Sequence, residues 1–399
     1  MQTSDPNNFF RTESDLALED ARKLKSERTK NLGSPIDVPG KPLELIISDD
    51  HVWCAESGFV ARKLDLESGK LLQVFKGHTG PVTTLQLFPS PQSNNPMLIT
   101  GSWDKTIKIW DTKNKNILSS TVAHSDFVKT LLAVPAMKML ISASADKTVR
   151  FWNVRGELTS GDLQSLGFNS THTRPVQCLA IDIHSESSAT LFTADSMGVV
   201  KIWGLHREYG DRPSVQLGQL GELNGHRTSI NDMWYDKDGG VLWTASTDET
   251  VMMEYYPPRP TSRPLPPIPH PKAVKAILPL PLTEFPEPYL ITAAGELIRL
   301  YDISSPEEPE LLFEVDAHWH DVTCLRLWMR NVANSDGKEP WIVSASLDGT
   351  IRKWRLRDLV ERRSAVELPQ PIAKAINPSP ALTEEEEREL AELMSDDDK

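Results

Sequence analysis

Along much of the chain apolar and polar residues alternate in short runs, and turn-forming residues separate the runs. The segment "LITGSWDKTIKIWD", ending at Asp111, holds one alternating run, a tight turn and a second alternating run, the period-two signature of two half-buried strands. "LISASADKTVRFWN", ending at Asn153, and "IVSASLDGTIRKWR", ending at Arg355, repeat it. In each an Asp stands six residues before a Trp: Asp104 and Trp110, Asp146 and Trp152, Asp348 and Trp354. A Ser stands two before each Asp, at Ser102, Ser144 and Ser346.

Sliding that template along the chain finds weaker copies, with Leu64, Trp203, Glu254 and Tyr301 at the Trp position and Gly58, Met197 and Gly295 at three of the turn Asp positions. The seven anchors lie 42 to 53 residues apart. His78, His124, His172, His226, His270 and His318 keep the same phase, 44 to 54 residues apart. A fixed period of this size means one supersecondary unit per repeat. Seven strand-rich units are therefore predicted.

These residues resemble the WD-repeat (WD40) family over about residues 40 to 356, with Gly77-His78 and Gly225-His226 early in their units and Trp110-Asp111 closing one. The resemblance implies an all-β, seven-bladed propeller with four strands to a blade around a central channel. It also implies a hydrogen-bonded network inside a blade, carried over as His78–Ser102–Asp104–Trp110, His124–Ser144–Asp146–Trp152 and His318–Ser346–Asp348–Trp354. Such a network is physically required, because a buried carboxylate is tolerated only when hydrogen-bonded. The departures at Gly58, Met197, Glu254 and Gly295 predict incomplete networks in blades one, four, five and six.

The flanks read differently. Residues 12–30 predict a helix, with Ser14 placed to cap it and Leu16, Ala17, Ala21 and Leu24 on one face. Residues 383–394 predict another, with Thr383 and Glu386 as a capping box and Leu390, Ala391, Leu393 and Met394 as its apolar face. The expected organisation is an N-terminal extension with a short helix over 1–39, the propeller over 40–372 and an acidic C-terminal tail with a short helix over 373–399. Residues 34–39 and 365–369 are both plausible as the last outer strand. Insertions at 89–96, 156–170 and 330–340 are expected as loops on the face opposite the histidines.

Charge narrows the class of partner. The net charge is −13, and residues 381–399 alone hold nine acids against Arg388 and Lys399, so the body is only mildly acidic. That balance argues against direct binding of nucleic acid. The start "MQTSDPNNFF" lacks a secretory pattern, and no apolar run approaches a membrane span, so membrane insertion is not expected. Cys54, Cys178 and Cys324 are too scattered for a disulfide framework or a zinc site. Buried thiols in a cytoplasmic or nuclear protein are the expectation.

The recurrence of His, Ser and Asp at one spacing argues for scaffold rather than catalysis, since a catalytic constellation is assembled once per site. No enzyme activity, cofactor or metal is expected. The predicted function is a scaffold or adaptor for protein–protein interactions within a multiprotein complex. Its contact face would carry Trp103, Lys105, Phe127, Lys147, Arg174, Arg227, Trp319 and His320, from the turns beside the histidines, because aromatic and Arg residues dominate interface energetics. "RPLPPIP" (263–269) resembles a ligand of SH3 domains through Arg263, Pro266 and Pro269. A proline-rich connection at the edge of blade five is the favoured reading of that segment. An alternative function, substrate receptor of a cullin-4 ubiquitin ligase, rests on "WDTK" and "WNVR" at the ends of two repeats and would use Arg155 and Arg357 to meet the ligase adaptor.

Overall fold

The computed structural model describes residues 13–90, 95–154, 163–259, 264–331 and 337–361. The chain divides into Met1–Val360 and Glu361–Lys399, and beyond Glu361 the second unit lies outside the described residues. The predicted helix at 383–394, the tail at 373–399 and the alternative closing strand at 365–369 fall there.

Strand and turn signals resolve into seven antiparallel sheets of four strands each. Blade two shows the plan: Val82–Phe88 innermost, then Met97–Ser102, Thr106–Asp111 and Ile117–Val122 at the rim. Because the strands run up and down in sequence, the connection entering each blade and the turn between its second and third strands emerge on one face, called here the upper face. Apolar side chains from adjoining blades interlock between the sheets. Trp152 of blade three, for example, packs with Ile107, Ile109 and Leu131.

Every innermost strand carries a register shift just after its first residue, at Pro42/Glu44, Val82/Thr84, Val128/Thr130, Val176/Cys178, Ile230/Asp232, Val274/Ala276 and Val322/Cys324. A bulge of this kind re-aims side chains, and here it turns them toward the neighbouring blade. The Thr83 hydroxyl donates to Val128 O at 2.7 Å, Asn231 Nδ2 to Val274 O at 2.7 Å and the Thr323 hydroxyl to Pro42 O at 3.0 Å. The following residue adds a second tie. Glu44 accepts from Leu85 N–H at 3.0 Å, Thr84 from Leu131 N–H at 3.1 Å and Asp232 from Ile277 N–H at 3.0 Å. Blade-to-blade hydrogen bonds therefore line a central cavity of about 420 Å³. Cys54, Cys178 and Cys324 are free and buried in this inner region.

The N-terminal segment closes the ring. Ile36–Asp37 pairs with Ile351 and Thr350, completing blade seven, so the propeller begins at residue 36 rather than 40. Helix α1 (Glu13–Thr29) precedes it, as predicted, and α2 (Leu356–Glu361) follows the last strand. The end of α1 is pinned by Lys25 to Glu296 at 2.9 Å and Asp316 at 2.5 Å. The buried Arg352 donates to Thr29 O at 2.5 Å and Leu32 O at 2.9 Å. Gly33, at φ +65°, lies flat against Trp354, where a Cβ would come within 2.7 Å of the indole.

Two expected loops are partly strand. Residues 164–169 of the 156–170 insertion form the outer strand of blade three, because Trp152 and its neighbours need a partner on that edge. The 330–340 segment extends the inner hairpin of blade seven as far as the pair Asn331↔Lys338. In blade five the outer strand is reduced to Ile268–Pro269, paired with Val251 and Thr250. The prolines just before it have no N–H to continue the ladder.

Candidate protein-binding face

The network in blade two is a single relay of donors. Trp110 Nε1–H donates to Thr100 Oγ1 at 2.8 Å, the Thr100 hydroxyl to His78 Nε2 at 2.8 Å, and His78 Nδ1–H to Asp104 Oδ2 at 2.8 Å. Asp104 also accepts from Thr79 N–H at 3.0 Å, Thr106 N–H at 2.9 Å and the Thr106 hydroxyl at 2.6 Å. Trp152–Ser142–His124–Asp146 and Trp354–Ser344–His318–Asp348 repeat it in blades three and seven. The bridging hydroxyl is thus Thr100, Ser142 or Ser344, and not Ser102, Ser144 or Ser346. Those serines point the same way but lie one step nearer the turn. There they accept the amides of Asp104, Asp146 and Asp348 and donate to Gly80 O, Asp126 O and His320 O.

The weaker blades differ from expectation in instructive ways. Blade four is complete: Trp203 Nε1–H donates to Thr193 Oγ1 at 3.0 Å, Thr193 pairs with His172 Nε2 at 2.7 Å, and His172 Nδ1 meets Asp195 at 3.2 Å. Asp195 sits at the end of its strand, where Ser102 sits in blade two, and closes the turn by accepting from Met197 and Val199 N–H. Met197 therefore does not mark a missing acid. Blade five keeps His226, Thr244 and Asp248 without an indole. Blade six keeps only His270, between Thr292 Oγ1 at 2.9 Å and Ile268 O at 3.0 Å. Blade one substitutes a buried pair, Glu56 with Arg62 at 2.6 Å.

Burial alone would raise the Asp104 and Asp146 carboxyls, but hydrogen bonds from His78 or His124 and from Thr106 or Thr148 hold them well below the usual carboxylate range. His270 has no acid partner, and burial pushes it down to about 4. The unfolded chain takes up this proton near pH 6.5 and the folded one only near pH 4. Between those values the unfolded state binds more protons, so stability falls as the pH is lowered through that window, by about 3 kcal/mol for this group. His270→Gln is expected to flatten that part of a urea-stability profile taken between pH 7.5 and pH 4; an unchanged slope would refute the assignment.

The networks fix the upper face as a rigid ring of turns. On it, Trp103 and Phe127 stack across blades two and three, with ring centroids 4.9 Å apart and planes 19° from parallel. Both stay exposed, at 40% and 38%. Lys129, at the bulge of blade three, places Nζ 5.9 Å from the Trp103 ring. Lys105, Lys147, Arg174 and Arg227 are also exposed on this face. Trp319 and His320 are half-buried on blade seven, with rings 5.8 Å apart. Phe59 at 46% and Met197 at 51% exposure extend the apolar positions to blades one and four. Sequence reasoning missed both as contact residues, although each falls in the turn that the template aligns.

Arg155 and Arg263 lie outside the described residues, and Arg357 is exposed on α2. Pro266 is exposed, while Pro269 is committed to the sheet beside Thr250. A free polyproline helix through both is therefore not what the segment forms. Among the described residues no group of three or more His, Cys, Asp or Glu is placed to hold a metal. No described helix is long and apolar enough to cross a membrane.

Seven four-stranded blades, pinned by a Trp–hydroxyl–His–Asp relay and presenting exposed aromatic and basic turns on one face, define a WD-type propeller. The chain is a seven-bladed β-propeller that carries WD40 repeats. The family model for the WD domain, G-beta repeat, matches residues 69–111, 115–153 and 309–355. An uncharacterized WD repeat-containing protein of Schizosaccharomyces pombe is 28% identical over 99% of this chain and all of its own length. Protein Rae1 of Drosophila melanogaster is 37% identical over 22% of this chain and 23% of its own. The mRNA export factor GLE2 of Chaetomium thermophilum is 44% identical over 14% of each chain. These last two likenesses span about a repeat or two and reflect shared blade chemistry.

Proposed function

We propose that the protein is a non-catalytic platform that holds other proteins in a complex through the upper face of its propeller. The observation that carries this reading is the Trp103–Phe127 stack: two aromatic rings, from separate blades, held together yet open to solvent. Rigid aromatic anchors of this kind concentrate binding energy at little entropic cost. The free, buried thiols of Cys54, Cys178 and Cys324 support a cytoplasmic or nuclear setting. The SH3-ligand and ligase-receptor alternatives rest on their sequence patterns alone.

The test is affinity capture of the full chain from its own cells beside a Trp103→Ala, Phe127→Ala variant. Both substitutions are at exposed turns, so the variant should unfold at the wild-type urea midpoint. Its specific partners should fall at least tenfold, as truncation of a central anchor does. An unchanged partner set would move the binding surface elsewhere.

A further inference from the structure

The chain carries a net charge of −13, yet the exposed charges on the upper face of blades two to four are mostly cations. Lys105 and Lys147 occupy matching turn positions, Arg174 opens blade four, and Lys129 lies against the Trp103 ring. The acids of the same turns face inward: Asp104, Asp146 and Asp195 are bound by His78, His124 and His172 and by turn amides. These three carboxylates are thus already held by hydrogen bonds, and the remaining acid of the arc, half-buried Asp126, accepts from Phe127 N–H at 2.8 Å and faces Lys129.

The backbone adds weight. Lys105 and Lys147 have φ of +71° and +70°, a region that costs a residue with a Cβ about 1 kcal/mol or more. Blades six and seven place Gly295 and Gly349 in the same kind of turn, at +58° and +82°. Blades one and five hold Phe59 and Glu249 there, at +67° and +70°, so the turn accepts a side chain and on blades two and three that side chain is a cation.

We infer that the arc formed by blades two to four receives an acidic segment of a partner protein, with an aromatic or aliphatic side chain seated on the Trp103–Phe127 stack and flanking carboxylates meeting Lys105, Lys147 and Arg174. This rests on the platform reading above and adds the chemistry of the partner. A short acidic peptide fits better than a nucleic acid. The exposed cations beside the stack sit on blades two to four, with Arg227 next on blade five, and a longer polyanion would run past them onto a mildly acidic body.

The test is selection from a displayed library of random twelve-residue peptides on the immobilised full chain, counter-selected on Trp103→Ala. The selected peptides are expected to carry net negative charge around a Phe, Trp, Leu or Met. Lys105→Glu, Lys147→Glu should weaken them at least tenfold, and added salt should weaken them as well. Neutral or basic peptides that still need Trp103 would overturn the acidic-partner inference and leave the platform standing. A selection yielding no peptide dependent on Trp103 or Phe127 would remove both. Oligouridylate of twelve nucleotides binding the same arc more tightly than the selected peptides would replace the acidic peptide with single-stranded RNA.

Discussion

Asp348→Ala is expected to lower the free energy of unfolding by ~3–5 kcal/mol, because it strips the partner from two buried groups at once. The Asp348 and His318 side chains are fully buried, 2.8 Å apart. Asp348 Oδ1 accepts from the Thr350 hydroxyl at 2.7 Å and from its N–H at 2.9 Å. Oδ2 also faces the buried Arg352 at 3.9 Å. Removing the carboxylate leaves a guanidinium in the blade without its counter-charge and leaves His318 Nδ1–H only the Thr350 hydroxyl, at 3.3 Å. Asp348→Asn should lose less, since an amide oxygen can still accept from Thr350. The measurement is urea unfolding followed by tryptophan fluorescence. A loss below about 1 kcal/mol for Asp348→Ala would mean that water or a shifted turn replaces the carboxylate, and that the relay does not hold the blade.

The seven-blade count was legible because two independent markers, the Trp position and the histidine, are locked to one period. The bridging hydroxyl was not. Thr100 and Ser102 are two apart on one strand and point to the same side, so alternation cannot choose between them. The choice is made by the register Leu98↔Trp110, which sends the indole N–H toward Thr100. A hydroxyl ten residues before the anchor was nonetheless visible, at Thr100, Ser142, Thr193, Thr244 and Ser344, with Thr292 nine before Tyr301. Blade four was misjudged for a related reason. Its turn has the same length as that of blade two, since Ala194↔Val200 matches Gly101↔Ile107, but its acid occupies the strand-end position that Ser102 holds there. Asp195 therefore lies eight residues before Trp203 instead of six, and a rigid template read Met197 as the loss of the acid.

The candidate face was legible only as far as its turns. That Trp103 and Phe127 belong to successive units follows from the repeat. That their rings stack follows from ring closure, which brings the turn of one blade against the entry to the next. Ring closure also explains why sequence reasoning could not choose between 34–39 and 365–369 as the closing strand. A two-residue strand, Ile36–Asp37, carries no alternation to detect, and its partner lies more than 300 residues away.

Deleting residues 1–38 should therefore abolish cooperative folding rather than trim a flank. The deletion removes the outer pairs Ile36↔Ile351 and Asp37↔Thr350, the Gly33 carbonyl that receives Lys353 N–H at 2.5 Å, and the buried side chains of Ile36 and Val38. It also takes both backbone carbonyls that accept from Arg352, leaving the guanidinium only Thr350 and Asp348. Two apolar side chains at ~1.5–3 kcal/mol each and two hydrogen bonds from a charged group at ~1.5–3 kcal/mol each together rival the ~5–15 kcal/mol that holds a typical domain. Calorimetry of the truncated chain should show no sharp transition, and adding a synthetic peptide of residues 13–40 should restore one. Arg352→Met separates the two contributions: in the truncated chain it should recover part of the loss, whereas in the full chain it removes hydrogen bonds that are satisfied. A truncated chain that melts as sharply as the intact one would place ring closure elsewhere than the N-terminal strand.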